Sequence, residues 1–181
     1  SVSNCTISTG QCNAAKRIAF IKHIVEVRGI YLVSIKSKKV CEMIRKIGIV
    51  SPGDMGHTVG QVLINNGLEV FTCLAERSQR TRQLAEKVGI TNLPSYDDLV
   101  QNADLILSIL VPARAIDAAH QVSEAIERTQ AQILYVDCNA ISPNTVKQIG
   151  QNIMDSGGNF LDASIIGPPP RKDGSTRFYA S

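Results

Sequence analysis

The sequence predicts an α/β fold, a mostly parallel, doubly wound sheet with helices on both faces, from three observations. Short β-rich runs alternate with amphipathic stretches from residue 46 onward. The β-rich runs read as largely apolar stretches, as strands buried on both faces do. Gly67, Gly89 and Gly157 each follow the last periodic residue of a helical stretch, where a left-handed cap favours glycine.

In chain order the first predicted strand is Lys46–Ser51, which runs into a glycine-bearing turn and a helix over Met55–Asn66 that Gly67 stops. A second strand, Glu69–Leu74, leads to a helix over Gln79–Val88 and then to a short one over Tyr96–Gln101. The strand Asp104–Leu110 precedes the longest helix, Ala113–Arg128, whose apolar positions Ile116, Ala119, Val122 and Ile126 mark one face. The strand Gln132–Asp137, the helix Pro143–Ser156 and the strand Asn159–Ala163 complete the alternation. After an Asp173-Gly174 turn, the segment STRFYAS reads as a further strand cut mid-run, so a truncated domain is expected over residues 43–181.

The 181 residues, 44% hydrophobic, suffice for one sizeable core. The longest apolar runs, such as LILSILVPA, fall far short of the roughly 20 residues a membrane helix needs. Five cysteines lack CxxC pairing, and two lie in segments expected to be buried. Free thiols in a reducing cytosol are therefore expected, and neither a disulfide framework nor a metal site. The net charge of +3 is uneven, since residues 1–42 carry seven Lys or Arg against two Glu. The remainder holds twelve basic against fourteen acidic side chains, which gives no electrostatic reason to expect nucleic acid. Residues 1–42 lack sustained periodicity, and MIRKIGIV from Met43 looks like a native start. The basic leader reads as an extension outside the fold or as an organellar presequence, although it is poor in arginine for the latter.

The stretch KIGIVSPGDMGHTVG has the strand, glycine turn and helix with which dinucleotide sites begin. In such loops the first glycine serves a tight turn, the second lets backbone approach the pyrophosphate, and the third permits close helix packing. Gly53 and Gly56 supply the second and third, and Ser51 replaces the first. Pro52 is expected to hold Ser51 extended and removes one backbone N–H. The amides of Gly53, Asp54 and Met55 are then expected to face the ligand at the helix N-terminus. Asp54 is a good N-cap, but its carboxylate would compete with a phosphate there. A structural turn with two glycines accounts for the motif as well, and it is the strand-loop-helix setting that favours the cofactor.

The polar end of FTCLAERSQRTRQ falls about 20 to 25 residues past Gly53, where the ribose is read. Glu76 could take the two ribose hydroxyls of NAD, whereas Arg77, Ser78 and Arg80 could surround the 2′-phosphate of NADP. The cations favour NADP over NAD. A solvated first helical turn is the competing reading of the same residues.

Three further stretches, LSILVPA, YVDCNAISP and NFLDASIIGPP, follow IGIVSPGDMG in order. With them residues 43–181 resemble the N-terminal, Rossmann-type cofactor domain of the β-hydroxyacid dehydrogenases and 6-phosphogluconate dehydrogenases. Within that superfamily the chain looks most like divergent 6-phosphogluconate dehydrogenase-like proteins that carry an SPGDMG loop. The resemblance implies that Leu110, Val111 and Pro112 line the adenosine-ribose side of the cofactor. It also implies that the loop from Asp137 to Ser142, with Asn139, lies near the nicotinamide. Pro112 would equally serve as a strand stop, and Ser142-Pro143 as an N-cap followed by proline at the first helical position.

Departures from the family bear on the substrate. The usual Ser-Thr pair after the aspartate is Asn139-Ala140, and the substrate-holding Ser-Gly-Gly is Ile166-Gly167-Pro168. A substrate carboxylate would lose a hydroxyl there, which argues against small 3-hydroxyacids. Arg171, Lys172 and Arg177 could hold an anionic substrate beside this loop, or form a solvated basic turn. The resemblance places the acid/base lysine on a helix of a C-terminal domain beyond residue 181, along with contacts for a homo-oligomer. Lys147 matches no family motif, and nothing beside Cys138 in sequence would activate a thiolate. The leading expectation is the NADP-binding part of an oxidoreductase acting on a small hydroxyl-bearing molecule. A non-catalytic NADP-binding module and a methyltransferase using S-adenosylmethionine are the alternatives.

Overall fold

The computed structural model describes residues 44–170 and 176–180. Seven strands form one sheet in the order β3-β2-β1-β4-β5-β6-β7. They are β1 (Lys46–Val50), β2 (Glu69–Cys73), β3 (Thr91–Leu93), β4 (Leu105–Ser108), β5 (Leu134–Asp137), β6 (Asn159–Ile166) and β7 (Arg177–Ala180). The first six are parallel, and β7 closes the edge antiparallel to β6 with Ile166 opposite Arg177. The helices are α1 (Asp54–Asn65), α2 (Gln79–Val88), α3 (Tyr96–Asn102), α4 (Ala115–Thr129) and α5 (Pro143–Asp155).

Alternate residues of the central strands feed opposite faces, which is why those strands read as unbroken apolar runs. Ile47, Ile49, Leu105, Leu107, Leu134 and Val136 pack into one core with Val59 and Leu63 of α1 and Ala85 of α2. Ile106 and Tyr135 point the other way, into a core with Leu99 of α3, Val122 and Ile126 of α4, and Ile149 and Ile153 of α5. Gly67, Gly89 and Gly157 have φ of 82°, 81° and 95°, the left-handed conformation expected of helix stops.

The differences from the expected elements have local causes. The three-residue strand β3 has two exposed positions and no apolar run to announce it. The expected strand Asp104–Leu110 leaves the sheet after Ser108, because the Leu110 amide bonds instead to a side chain from the next loop. Pro112–Arg114 is a separate 3-10 turn ahead of α4. The strand expected after Asp173-Gly174 is β7, whereas that turn itself lies outside the described residues, as does the basic extension.

Gly56 sets how closely α1 approaches β1. A Cβ there would sit 3.1 Å from the Ser51 carbonyl oxygen and 3.4 Å from an Ile49 side-chain carbon. Gly56→Ala is therefore expected to destabilise the fold by about 1–2 kcal/mol. Overpacking of roughly 1–3 kcal/mol outweighs a helix-propensity gain of about 0.5–1 kcal/mol. Urea unfolding measures the change, and an unchanged or raised midpoint would show that this approach is not close.

Candidate functional site

The strand order reverses at β1: from it the chain runs outward to β2 and β3, then returns through α3 to β4 on the other side. The loops leaving the carboxyl ends of β1 and β4 diverge towards opposite faces, which opens a crevice at that edge. The loops after β2 and β5 flank it. All the candidate cofactor residues lie on these four loops or on the first turns of the helices they enter.

After β1, Ser51 has a φ of 62°, not the extended conformation expected before proline. The turn explains it, because the Gly53 amide donates to the Ser51 carbonyl at 2.7 Å and closes a tight ring around Pro52. Position 51 thus has the left-handed backbone that glycine would adopt without strain. The same bond corrects a second expectation, since the Gly53 N–H is turned to Ser51 and not outward. The Asp54 and Met55 amides remain among the orphan donors of the first turn of α1. Pro52 is buried beneath the loop, and Met55 packs partly into the core. The Gly53 carbonyl accepts from the His57 amide at 2.9 Å and lies 2.7 Å from His57 Nδ1, which fixes the loop to the helix.

A Cβ on Gly53 would meet nothing nearer than the Ser51 oxygen at 4.0 Å, and its φ of −70° suits any residue. Neither packing nor conformation of the protein calls for glycine at this position. Close approach of a ligand to the loop would, so the residues present fit a pyrophosphate-bearing cofactor.

After β2, the expected ribose residues separate. Glu76, with φ 58°, is exposed at the strand's end. Arg77 turns inward, donating to the Tyr96 hydroxyl at 2.7 Å, while its Nε is buried without a partner among the described residues. Burial pushes the Tyr96 phenol up, with the Arg77 guanidinium opposing the rise. Ser78 caps α2 by accepting from the Thr81 amide. Arg80 crosses the mouth of the crevice to Asp54, 2.6 Å away. A cleft of about 330 Å³ lies at the ends of β2 and β3, lined by Cys73, Glu76, Tyr96, Gln121 and Arg128 among others.

After β4 and β5, one side chain ties the two loops together. Asn139 Oδ1 accepts from the Leu110 amide at 2.7 Å, and its Nδ2 donates to Ser108 Oγ at 2.9 Å and to Asp137 Oδ2 at 3.2 Å. Its backbone N–H donates to Asp137 Oδ1 at 2.8 Å. Asn139 was expected to touch cofactor and substrate, yet it is buried and its amide is engaged within the protein. Its side chain positions the LVP loop; it does not face outward with it. Val111, 63% exposed, and Pro112 project from the loop so held. At the end of β6, Ile166 is exposed and Gly167 has φ 116°, whereas Arg171 and Lys172 lie outside the described residues. Burial pushes the Cys138 thiol far up, with Asp137 and Asp162 adding to the rise, so it is not a thiolate.

Sequence reasoning missed Tyr96 and Ser108. Nothing marks Tyr96 in the sequence, but a serine inside the apolar run LILSIL needed a buried partner and was a readable signal. Among the described residues no helix is long and apolar enough to cross a membrane.

The sequence profile of the NAD binding domain of 6-phosphogluconate dehydrogenase matches residues 46–176. An uncharacterised 28.5 kDa protein of Methanothermus fervidus is 33% identical over 127 residues, covering 70% of this chain and 47% of that protein. The mitochondrial 3-hydroxyisobutyrate dehydrogenase of Drosophila melanogaster is 28% identical over 134 residues, 73% of this chain and 40% of that enzyme. A solved structure of a conserved protein of unknown function, described as similar to 3-hydroxyacid dehydrogenases, superposes with a TM-score of 0.64 at 32% identity. That match covers 75% of this chain and 49% of the other. The chain spans about half the length of these relatives, or less.

Two outcomes test the link between β4 and β5. Asn139→Ala strands the Leu110 amide and one Asp137 oxygen, and is expected to cost about 2 kcal/mol or more in urea unfolding; a loss near zero would remove the clamp. Burial raises the Asp137 pKa, partly offset by the two Asn139 hydrogen bonds, with Asp162 adding to the rise. The folded chain therefore holds this proton more tightly than the unfolded chain. Its contribution is fully present below the ordinary carboxylate range and is lost as pH rises through the raised value. Unfolding midpoints of Asp137→Asn and of the unaltered chain, followed from acid to neutral pH, are expected to diverge through that window in favour of the variant. Parallel profiles would contradict the shift.

Proposed function

The chain belongs to the family of NAD-binding domains of 6-phosphogluconate dehydrogenase, and from that membership we propose that it is the NADP-binding part of an oxidoreductase acting on a hydroxyl-bearing, anionic small molecule. The observation that carries the reading is the convergence of the loops after β1, β2, β4 and β5 on the reversal point of the sheet. There a helix N-terminus stands beside a glycine that the protein's own packing does not require.

On this reading the Asp54 and Met55 amides and the positive end of α1 hold the pyrophosphate. Glu76 and the cleft beside it take the adenosine ribose. Arg80 and Ser78 take the 2′-phosphate, and Arg77 acts through Tyr96. Val111 and Pro112 cover the cofactor from the β4 side, and the loop after β5 lies by the nicotinamide. The bound nicotinamide supplies the hydride acceptor or donor. The chain's own contribution is to orient it and exclude water. The substrate's place is the end of β6 at Ile166 and Gly167, with Arg171 as the anion-binding group. A lysine on a C-terminal helical domain of the full-length protein would accept or return the proton, and that domain would carry any homo-oligomer contact. Buried free thiols at Cys73 and Cys138 suit a reducing cytosol.

Calorimetric titration of the full chain with NADPH and NADH in parallel tests the reading. NADPH is expected to bind more tightly, and Arg80→Ala to weaken it roughly three- to ten-fold, a charge-assisted bond discounted for exposure, with NADH changed less than about two-fold. Equal weakening of both would place Arg80 away from the 2′-phosphate. Binding of S-adenosylmethionine with no binding of either dinucleotide would favour a methyltransferase instead.

A further inference from the structure

The ion pair between Asp54 and Arg80 joins the two places where the proposed cofactor carries its charge. Asp54 is the first residue of α1, and Arg80 lies in the first turn of α2. Their side chains are 61% and 72% exposed and meet at 2.6 Å across the mouth of the crevice. In the same crevice Arg77 is committed to Tyr96, so Arg80 is the cation of this loop best placed to reach a ligand phosphate. Its guanidinium already has an anionic partner supplied by the protein.

Resting on the dinucleotide reading above, we propose that Asp54 is a specificity-determining residue that moderates the preference for NADP over NAD by competing with the 2′-phosphate for Arg80. A phosphate monoester carries close to two negative charges and three acceptor oxygens at neutral pH, against one charge on a carboxylate. The planar guanidinium can engage such an oxyanion through two parallel bonds. The phosphate therefore displaces the carboxylate, but the pair must first be broken. NADH has no 2′-phosphate and leaves the pair in place. Asp54 also stands at the end of α1 assigned to the pyrophosphate, where its charge opposes that of either cofactor. That second effect is common to both cofactors and cancels in their ratio. The contribution made through Arg80 does not cancel.

The distinction sets the experiment: calorimetric titration of the full chain with NADPH and NADH, in the unaltered protein, Asp54→Asn, Arg80→Ala and the double variant. Circular dichroism on each sample checks the fold, which substitutions at two exposed side chains should leave intact. Asp54→Asn is expected to raise NADPH affinity about two- to five-fold more than NADH affinity, the upper range of an exposed ion pair. In the Arg80→Ala background the same change should move both cofactors by one common factor. The proposal is overturned if Asp54→Asn shifts both cofactors equally while Arg80 is present, or if the NADPH-specific gain survives without Arg80. Failure of the unaltered, folded chain to bind either cofactor would overturn the dinucleotide reading itself, and this inference with it.

Discussion

Burial of both faces of the parallel sheet is the constraint from which the rest of the structure follows. Strands β1, β4 and β5 are covered on both sides, so a polar group on their faces is costly to leave unpaired, and the Tyr135 hydroxyl of β5 is buried there without a hydrogen-bond partner among the described residues. Three of the buried polar residues lie where strands end: Ser108 at the last position of β4, Asp137 at the last position of β5, and Asn139 two residues beyond. Each is bonded to another of the three. The carboxyl edge of the sheet thus carries a paired polar network, and the reversal of strand order at β1 opens the crevice there.

Within that edge the protein uses its polar atoms for two different ends. Around Asn139 they hold backbone in place, since the side chain links the amide of Leu110 to the carboxylate of Asp137 and so fixes two loops relative to each other. Around Asp54, Glu76 and Arg80 they are exposed and exchangeable. Exposed ion pairs contribute little to stability, about 0–1 kcal/mol, so the pair at the mouth can be remade at little cost when a competing anion arrives. The buried network cannot, because each lost bond there leaves a desolvated group behind. Rigid support behind an adaptable rim is the arrangement a positioning domain needs.

Much of this was legible in the sequence, and the limits have physical reasons. The helix over Gln79–Val88 could be read to its ends, because Ser78 caps one end and Gly89 adopts the left-handed conformation at the other. Both signals are local in the chain. The clamp made by Asn139 was not legible, since its partners Ser108 and Leu110 lie 31 and 29 residues away and come within reach only when β4 and β5 pair. For the same reason Arg77 and Arg80 looked alike in sequence, while the fold turns one inward to Tyr96 and the other across to Asp54. Side-chain direction at a strand's end depends on the neighbouring elements, which composition does not report.

The Ser-Pro loop shows how a departure from a pattern can be absorbed. Where the glycine pattern has its first glycine, Ser51 takes up φ 62°, a conformation that costs about 1–2 kcal/mol for a residue with a side chain. The loop holds it there through the Gly53 amide bonding back to the Ser51 carbonyl, and through a buried Pro52 whose ring fixes its own φ. The ring so formed turns one amide away from the crevice, and the proline supplies none. Fewer donors than usual then face an anion at this helix end, and Asp54 adds a negative charge beside them. With the Arg80 guanidinium drawn to the Asp54 carboxylate, the helix end meets such an anion with the Asp54 and Met55 N–H groups.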